Sequence, residues 1–357
     1  LRRLILKNEN SSVKDVPADS GTQVSRREFM RKSALTSAAG IAFASAGNVN
    51  AALLRKKPKV AVIGAGMAGL NATYQLRKAG VPVDLYEASG RVGGRIYSRV
   101  GVAGPDLVTE LGAEFINTDH DDMLTLCDEF GLKLFNRIEA SASLTMPRIA
   151  YIFDDRFYSE SDLAGDLRDF AEQIMADNAL IDADYDTYAS QFDALSARRY
   201  FLNHADKITK PYIQHLLDNM VRTEYGVEPE HSSALQFLYL LTTVEGDKVE
   251  LLGYSDEMLC VEGGNSLLPM AMGKLLKPVL QFHKVLKSVE KTGSDYELAF
   301  DDGTVAKADY VVLAVPQSAL RKIEINVRLP NKLKRFIEEV EFGQNEKVIG
   351  GFESIPW

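Results

Sequence analysis

Lys59-Val60-Ala61-Val62-Ile63-Gly64-Ala65-Gly66-Met67-Ala68-Gly69 is the stretch on which the fold of this chain turns. The unbroken apolar run Val60 to Ile63 has the character of a strand buried on both faces of a parallel sheet. It leads into a G-x-G-x-x-G element, and Leu70, Tyr74 and Leu76 continue as the apolar face of a helix that Lys78-Ala79-Gly80 stops. A second apolar stretch, Val81 to Tyr86, ends at Glu87, 18 residues beyond Gly69. Strand, glycine turn, helix and strand closed by an acid make the βαβ unit that holds a dinucleotide. Gly64 permits the tight turn, Gly66 lets backbone N–H groups approach a pyrophosphate, and Gly69 lets helix and strand pack closely. The helix N-terminus turns its positive end to the phosphates, and Glu87 is placed to accept from a ribose hydroxyl. Gly64, Gly66, Ala68, Gly69 and Glu87 are therefore cofactor-binding candidates, although the glycines alone do not separate a nicotinamide from a flavin dinucleotide.

The residues just downstream separate them. Arg91-Val92-Gly93-Gly94-Arg95 has two glycines that let backbone lie against a cofactor and an arginine, Arg95, able to pair with its pyrophosphate. This element resembles the R-x-G-G-R doublet of flavin-dependent amine oxidases. From about Lys59 to Trp357 the chain resembles the monoamine and polyamine oxidase family, which implies FAD as cofactor and adds Arg91, Gly93, Gly94 and Arg95 to its contacts. Glu110-Leu111-Gly112-Ala113-Glu114-Phe115-Ile116 is similar to the family's segment beneath the flavin ring, and the resemblance implies that Gly112 and Ala113 are small because the ring lies on them, with Glu114 beside. Val261-Glu262-Gly263-Gly264-Asn265-Ser266-Leu267 is similar to a family element that begins a helix. Val285 matches the position where the family closes its backbone over the adenine; without that frame it is a core valine. Lys347, alone a solvated lysine at a strand edge, aligns with the family's lysine that holds a water near the reactive flavin nitrogen. The resemblance implies a desolvated ammonium there, stabilising negative charge that develops on dioxygen, which makes Lys347 the catalytic candidate.

Val279 to Phe282, Val285 to Val289 and Tyr296 to Phe300 are predicted to form a β-meander that returns to a final buried strand over Ala308 to Pro316. Residues 160 to 255 turn helical, with apolar residues at three- and four-residue spacing over Leu163 to Ile174, Tyr188 to Leu195, Ile208 to Met220 and Ala234 to Leu241. The acidic run Asp182 to Asp186 reads as a solvated loop with helix-capping carboxylates, and Cys127 as core.

Upstream of the βαβ unit the chain is of another kind. Ser25-Arg26-Arg27-Glu28-Phe29 precedes an uncharged run from Ser33 to Leu54 that is too rich in Ala, Ser, Gly and Asn for a stable membrane span. It resembles a twin-arginine export signal, with Ala44-Ser45-Ala46 as the cleavage site and Val49-Asn50-Ala51 as the second choice. The partner implied is the twin-arginine machinery, and the location periplasmic or secreted. The 357 residues carry 41 Lys and Arg against 50 Asp and Glu, a formal charge of −9, which leaves no basic footprint for nucleic acid. Two cysteines and five scattered histidines make no metal pattern, and no G-x-S-x-G or H-E-x-x-H supplies a nucleophile or zinc site.

The fold expected is α/β, a Rossmann-like FAD-binding domain with an interleaved α+β substrate domain bearing a helical cap. Residues 1–54 form the leader, 55–140 and 256–325 the FAD-binding domain, 141–255 the substrate domain with its cap, and 326–357 a further substrate-domain strand and helix. The chain opens on Leu1 and closes on Phe352 to Trp357, so the expectation is one incomplete at both ends, without the family's aromatic pair and last flavin-binding segment. The function implied is oxidation of a small-molecule amine: hydride from the α-carbon to the flavin, hydrolysis of the imine, and reoxidation by dioxygen to hydrogen peroxide. Alternatives are a related FAD-dependent desaturase or dehydrogenase, an L-amino-acid oxidase, and a non-catalytic flavin-binding fragment. Gly112 to Phe115 contains no arginine to grip a substrate carboxylate, which favours an amine over an amino acid, and Ser89 stands where the family often has arginine.

Overall fold

A computed structural model describes residues 57–142, 151–253 and 255–353; the leader and its twin-arginine motif lie outside these. Strand β1 (Val60–Ile63) is at most 5% exposed throughout, as its apolar run requires. It leads through the glycine turn into α1 (Met67–Lys78) and back to β2 (Val83–Tyr86), parallel to β1 with Val60 opposite Val83. A hairpin of β3 (Ser98–Val100) and β4 (Val108–Glu110) follows, then α2 (Asp121–Glu129), β5 (Leu134–Asn136) and the short α3 (Arg137–Ser141). Cys127 on α2 is buried, and burial pushes its thiol pKa up.

The hairpin β6 (Tyr151–Phe153) and β7 (Arg156–Tyr158) introduces a helical region: α4 (Glu160–Ala183), α5 (Tyr185–Asp193), α6 (Ala197–Asn203), α7 (Pro211–Tyr225) and α8 (Ala234–Leu238). Its core gathers Leu163, Leu167, Phe170, Tyr200, Phe201 and Phe237. Helix α4 is longer than its apolar periodicity indicates: it runs nine residues past Ile174, burying Asn178 and Ile181, and a capping box starts it at Ser159, whose hydroxyl accepts from the Asp162 N–H while the Asp162 carboxylate accepts from the Ser159 N–H. Of the acidic run, Asp182 lies inside α4, while Asp184 caps α5 by accepting from the Thr187 N–H at 3.1 Å.

The hairpin β8 (Thr243–Glu245) and β9 (Lys248–Glu250), β10 (Leu259–Val261) and α9 (Leu267–Leu276) carry the chain to β11 (Leu280–Gln281). This last strand departs from the sequence expectation. It pairs parallel with β2, Leu280 opposite Leu85, as an edge of the nucleotide sheet and not as part of the meander. The meander proper is β12 (Leu286–Thr292), β13 (Asp295–Phe300) and β14 (Val305–Ala308), joined by β16 (Glu324–Asn326) parallel to β12. Between them β15 (Tyr310–Leu313) returns beside β1, Val60 opposite Tyr310, giving the order β11-β2-β1-β15.

One face of this parallel sheet packs Val60, Val62 and Leu85 against α1 and α9 through Leu70, Leu268 and Met272. The other packs Ala61, Ile63 and Tyr86 against Leu286, Leu298 and Phe300 of the meander. Strand β15 is not the buried strand expected, since Tyr310 is 60% exposed and Val312 37%. By the register and the two-residue alternation both share the face of Val60 and Val62, but no helix is laid over them among the described residues. After α10 (Gln317–Leu320) and α11 (Asn331–Glu339), residues 340–353 run without regular structure.

Candidate active site

The glycine turn and the Arg91–Arg95 loop are built against each other. Gly66 bridges Gly93 in parallel fashion, and the Gly93 N–H donates to the Ala65 carbonyl at 2.9 Å. A Cβ on Gly69 would overlap the Gly64 carbonyl oxygen, so that glycine serves the packing of α1 on the turn. The Glu87 carboxylate is already engaged: Oε2 accepts from the Ala65 N–H at 2.7 Å, and Oε1 from the Ser89 N–H and hydroxyl at 2.8 and 2.7 Å. Glu87 thus braces the turn before it meets a ribose, and Ser89 is its brace. Arg91 turns inward to its own loop, donating to the Gly94 carbonyl at 2.8 Å and lying over the Tyr97 ring at 4.5 Å. Arg95, by contrast, has no hydrogen-bonded or ionic partner for its guanidinium among the described residues, and it faces the cleft.

That cleft has a volume of about 1340 Å³ and is lined by all the cofactor candidates except Gly69 and Glu114. It is larger than the roughly 300–1,000 Å³ of common small-ligand pockets. Val285, expected as a core valine in the absence of a cofactor, is 36% exposed and lines the wall. A long cleft bounded by a glycine turn at a helix N-terminus, a free guanidinium and small residues at Gly112 and Ala113 fits FAD.

Gly112 has a packing reason of its own to be small. A Cβ there would overlap the Arg95 carbonyl oxygen, and the Ala113 N–H donates to that same oxygen at 3.0 Å. Gly112 packs on the Arg91–Arg95 loop and also lines the cleft. Sequence reasoning also missed Asn265, which is 4% exposed. Its amide donates to the carbonyls of Ala113 and Glu114 at 3.1 and 2.7 Å and accepts from the Val261 N–H at 2.8 Å. Glu110 joins this clamp: Oε1 accepts from the Asn265 N–H and Oε2 from the Ser98 hydroxyl.

Lys347 arrives on the irregular segment 340–353, which is tied to the end of α7 where the Gln344 N–H donates to the Gly226 carbonyl and the Asn345 amide to the Thr223 carbonyl. Its ammonium donates to the Gly112 carbonyl at 3.0 Å, the Glu110 carbonyl at 3.2 Å and the Glu114 carboxylate at 2.8 Å. The Lys347 and Glu114 side chains form an ion pair and are 37% and 38% exposed. Arg137 was also missed. Its guanidinium lies 3.8 Å from the Phe115 ring centre and donates to the Glu257 carbonyl at 2.6 Å, so an arginine that follows this segment in the chain does reach it.

A family model for flavin-containing amine oxidoreductases matches residues 67–357. The chain belongs to that family. Flavin-containing amine oxidoreductases similar to it include a probable flavin-containing monoamine oxidase A of Dictyostelium discoideum, 22% identical over 307 residues, or 84% of this chain and 66% of that one. An L-amino-acid oxidase of Crotalus adamanteus is 25% identical over 81% of this chain and 57% of its own. The (S)-6-hydroxynicotine oxidase of Paenarthrobacter nicotinovorans is 26% identical over 81% of this chain and 67% of its own. Among solved structures, putrescine oxidase bound to putrescine superposes with a TM-score of 0.61 at 23% identity, covering 81% of this chain and 64% of that one. Cyclohexylamine oxidase from Brevibacterium oxydans gives 0.62 at 20%, covering 79% and 63%. These structures share the α/β flavoprotein fold, and the chain spans roughly six tenths of the length of the relatives it matches. The cofactor of the family is FAD. Among the described residues no group of His, Cys, Asp and Glu could hold a metal ion, and no helix is long and apolar enough to cross a membrane.

Proposed function

We propose that this protein is an FAD-dependent amine oxidase. The observation that carries the reading is Lys347, delivered across 235 residues of sequence onto the Gly112 carbonyl, where the resemblance would have the reacting end of the cofactor lie. Bound there, FAD would supply an acceptor for the electrons of an amine α-carbon and an outlet for them to dioxygen. The chain's own residues would do the rest. Arg95 would neutralise the pyrophosphate with a bidentate guanidinium, the first turn of α1 would present its N–H groups to the phosphates, and Glu87 would hold the turn in shape. The Lys347 ammonium would favour negative charge on oxygen beside the Gly112 segment, with Glu114 and two carbonyls fixing its position. Residues 55–140 and 256–325 would form the FAD-binding domain and residues 141–255 the substrate domain and cap. Export by the twin-arginine route to the periplasm or beyond remains part of this proposal.

Anaerobic mixing of the flavin-loaded protein with a panel of primary, secondary and polyamines tests it: at least one should bleach the flavin, and air should then yield peroxide. A loaded protein that no amine bleaches is not an amine oxidase. Lys347→Met should slow reoxidation by oxygen by about 10²; an unchanged rate would favour a desaturase or dehydrogenase. A second reading, oxidation of an L-amino acid, has Arg137 in its favour, since a guanidinium beside Phe115 could take a substrate carboxylate. Bleaching by amino acids but not by the matching decarboxylated amines would select it.

A further inference from the structure

The cleft is electropositive in a chain that is acidic overall. Its lining carries Arg91, Arg95, Lys284, Lys287 and Lys322 against a single carboxylate, Glu87, while the whole chain has 50 acids and 41 Lys and Arg. Elsewhere in the structure cations are commonly spent on carboxylates: Lys59 on Asp84, Lys78 on Glu129, Arg198 on Asp218 and Arg222 on Glu228. Within the cleft wall Lys284 is likewise spent, on Asp302 at 2.5 Å. Lys287 on β12 and Lys322 just after α10 are not. Neither side chain has a hydrogen-bonded, ionic or aromatic partner among the described residues, and they come from two different elements to line one cleft.

Two solvated lysines held free of carboxylates at the rim of an anion site contribute little to the fold, but they shape the field at its mouth. A cleft of one charge sign in a low-dielectric wall raises the local concentration of an oppositely charged ligand and can increase its association rate by about 10 to 10³. We infer that Lys287 and Lys322 are cofactor-capture residues, which steer the pyrophosphate-bearing dinucleotide into the cleft against the repulsion of the acidic surface. Arg95 then makes the contact that retains it. The inference rests on FAD as the occupant of the cleft and is independent of which substrate is oxidised.

Uptake of FAD by the full chain freed of flavin, followed by quenching of flavin fluorescence in a stopped-flow instrument, tests it. Rates are compared at about 0.01 M salt, where the Debye length is about 30 Å, and at about 0.15 M, where it is about 8 Å. The wild type should slow with salt. The Lys287→Glu/Lys322→Glu pair should associate about tenfold more slowly at low salt, with a flatter salt dependence and a dissociation rate close to wild type. Lys287→Gln/Lys322→Gln should fall between, and Lys207→Glu, outside the cleft lining, should match the wild type. Riboflavin, which lacks phosphate, should enter at a rate that salt leaves unchanged. Association of the double glutamate variant within twofold of wild type at low salt, or a change confined to dissociation, overturns the capture role. A chain that takes up no FAD at any salt overturns the cofactor assignment as well, which separates the two failures.

Discussion

Asn265 supports the candidate site from beneath. Its side chain satisfies two part-buried carbonyls, of Ala113 and Glu114, and one buried N–H, of Val261, and through Glu114 it sets where Lys347 can dock. Removing the amide strands the buried Val261 N–H, which costs about 1–3 kcal/mol, while water can reach the two part-buried carbonyls. Asn265→Ala should therefore lower the unfolding free energy by about that much and weaken FAD retention, both measurable by urea titration and flavin release. Asn265→Asp, which turns a carboxylate on two carbonyl oxygens, should be no better; stability equal to wild type would show that the clamp is not what holds this segment. Little of this was legible in the sequence, because the carbonyls that Asn265 holds stand about 150 positions away and a glycine-rich turn offers many reasons for an asparagine. Lys347 was legible only through the family resemblance, and its pairing with Glu114 not at all. The turn Gly64 to Gly69 could be read directly because every constraint on it is local: a strand before, a helix after, and a Cβ at Gly69 that would overlap Gly64.

At the scale of elements, local signals decided what could be foreseen. The apolar run of β1 and the three- and four-residue periodicity of α4 and α7 need no knowledge of distant residues. Strand β11 is two residues long and takes its place from pairing with β2, and α6 is a seven-residue helix that packs only once Phe170 and Phe237 surround Tyr200 and Phe201. Helix α4 starts at its capping box, and the Asp162 carboxyl is held below the usual carboxylate range by the Ser159 hydroxyl and N–H. Ser159→Ala should cost about 1 kcal/mol. The pH dependence has a definite sign: a carboxyl with a depressed folded pKa contributes stability that is fully present above its unfolded value, near about 4, and is lost as pH falls through the folded one. Asp162→Asn should accordingly lower the Tm at pH 7, with the gap to wild type closing as both proteins are acidified below about 4. A gap that stayed constant with pH would show that charge in the box is immaterial.

For the whole molecule, the decisive feature is that the nucleotide sheet is assembled from strands far apart in sequence. Strands β1 and β2 come from residues 60–86, β11 and β15 from residues 280–313, and the helical region is threaded between them. Lys59 donates to Asp309 across 250 residues, and Lys347 to Gly112 across 235. The cleft walls come from both sets, Gly64 to Ala113 on one side and Lys284 to Ile323 on the other. A cofactor lying along the cleft therefore ties together parts of the chain whose loop-closure entropy has to be overcome for the sheet to form. Binding to the folded state alone stabilises by RT ln(1 + [L]/Kd), about 2.7 kcal/mol at a hundredfold excess over Kd. For a domain of 150–250 residues each kcal/mol moves Tm by about 2–4 °C. Removing FAD should thus lower the Tm by about 5 °C or more, and adding it back should raise the Tm by about 3 °C for each further tenfold excess. Protease sites in residues 284–323 should be shielded together with those in residues 64–113, since one ligand spans both walls. Differential scanning fluorimetry and limited proteolysis across a FAD titration read these two effects separately. A Tm that rises while residues 284–323 stay as exposed as before would place the cofactor on the glycine turn alone and break the argument that both halves of the chain hold it.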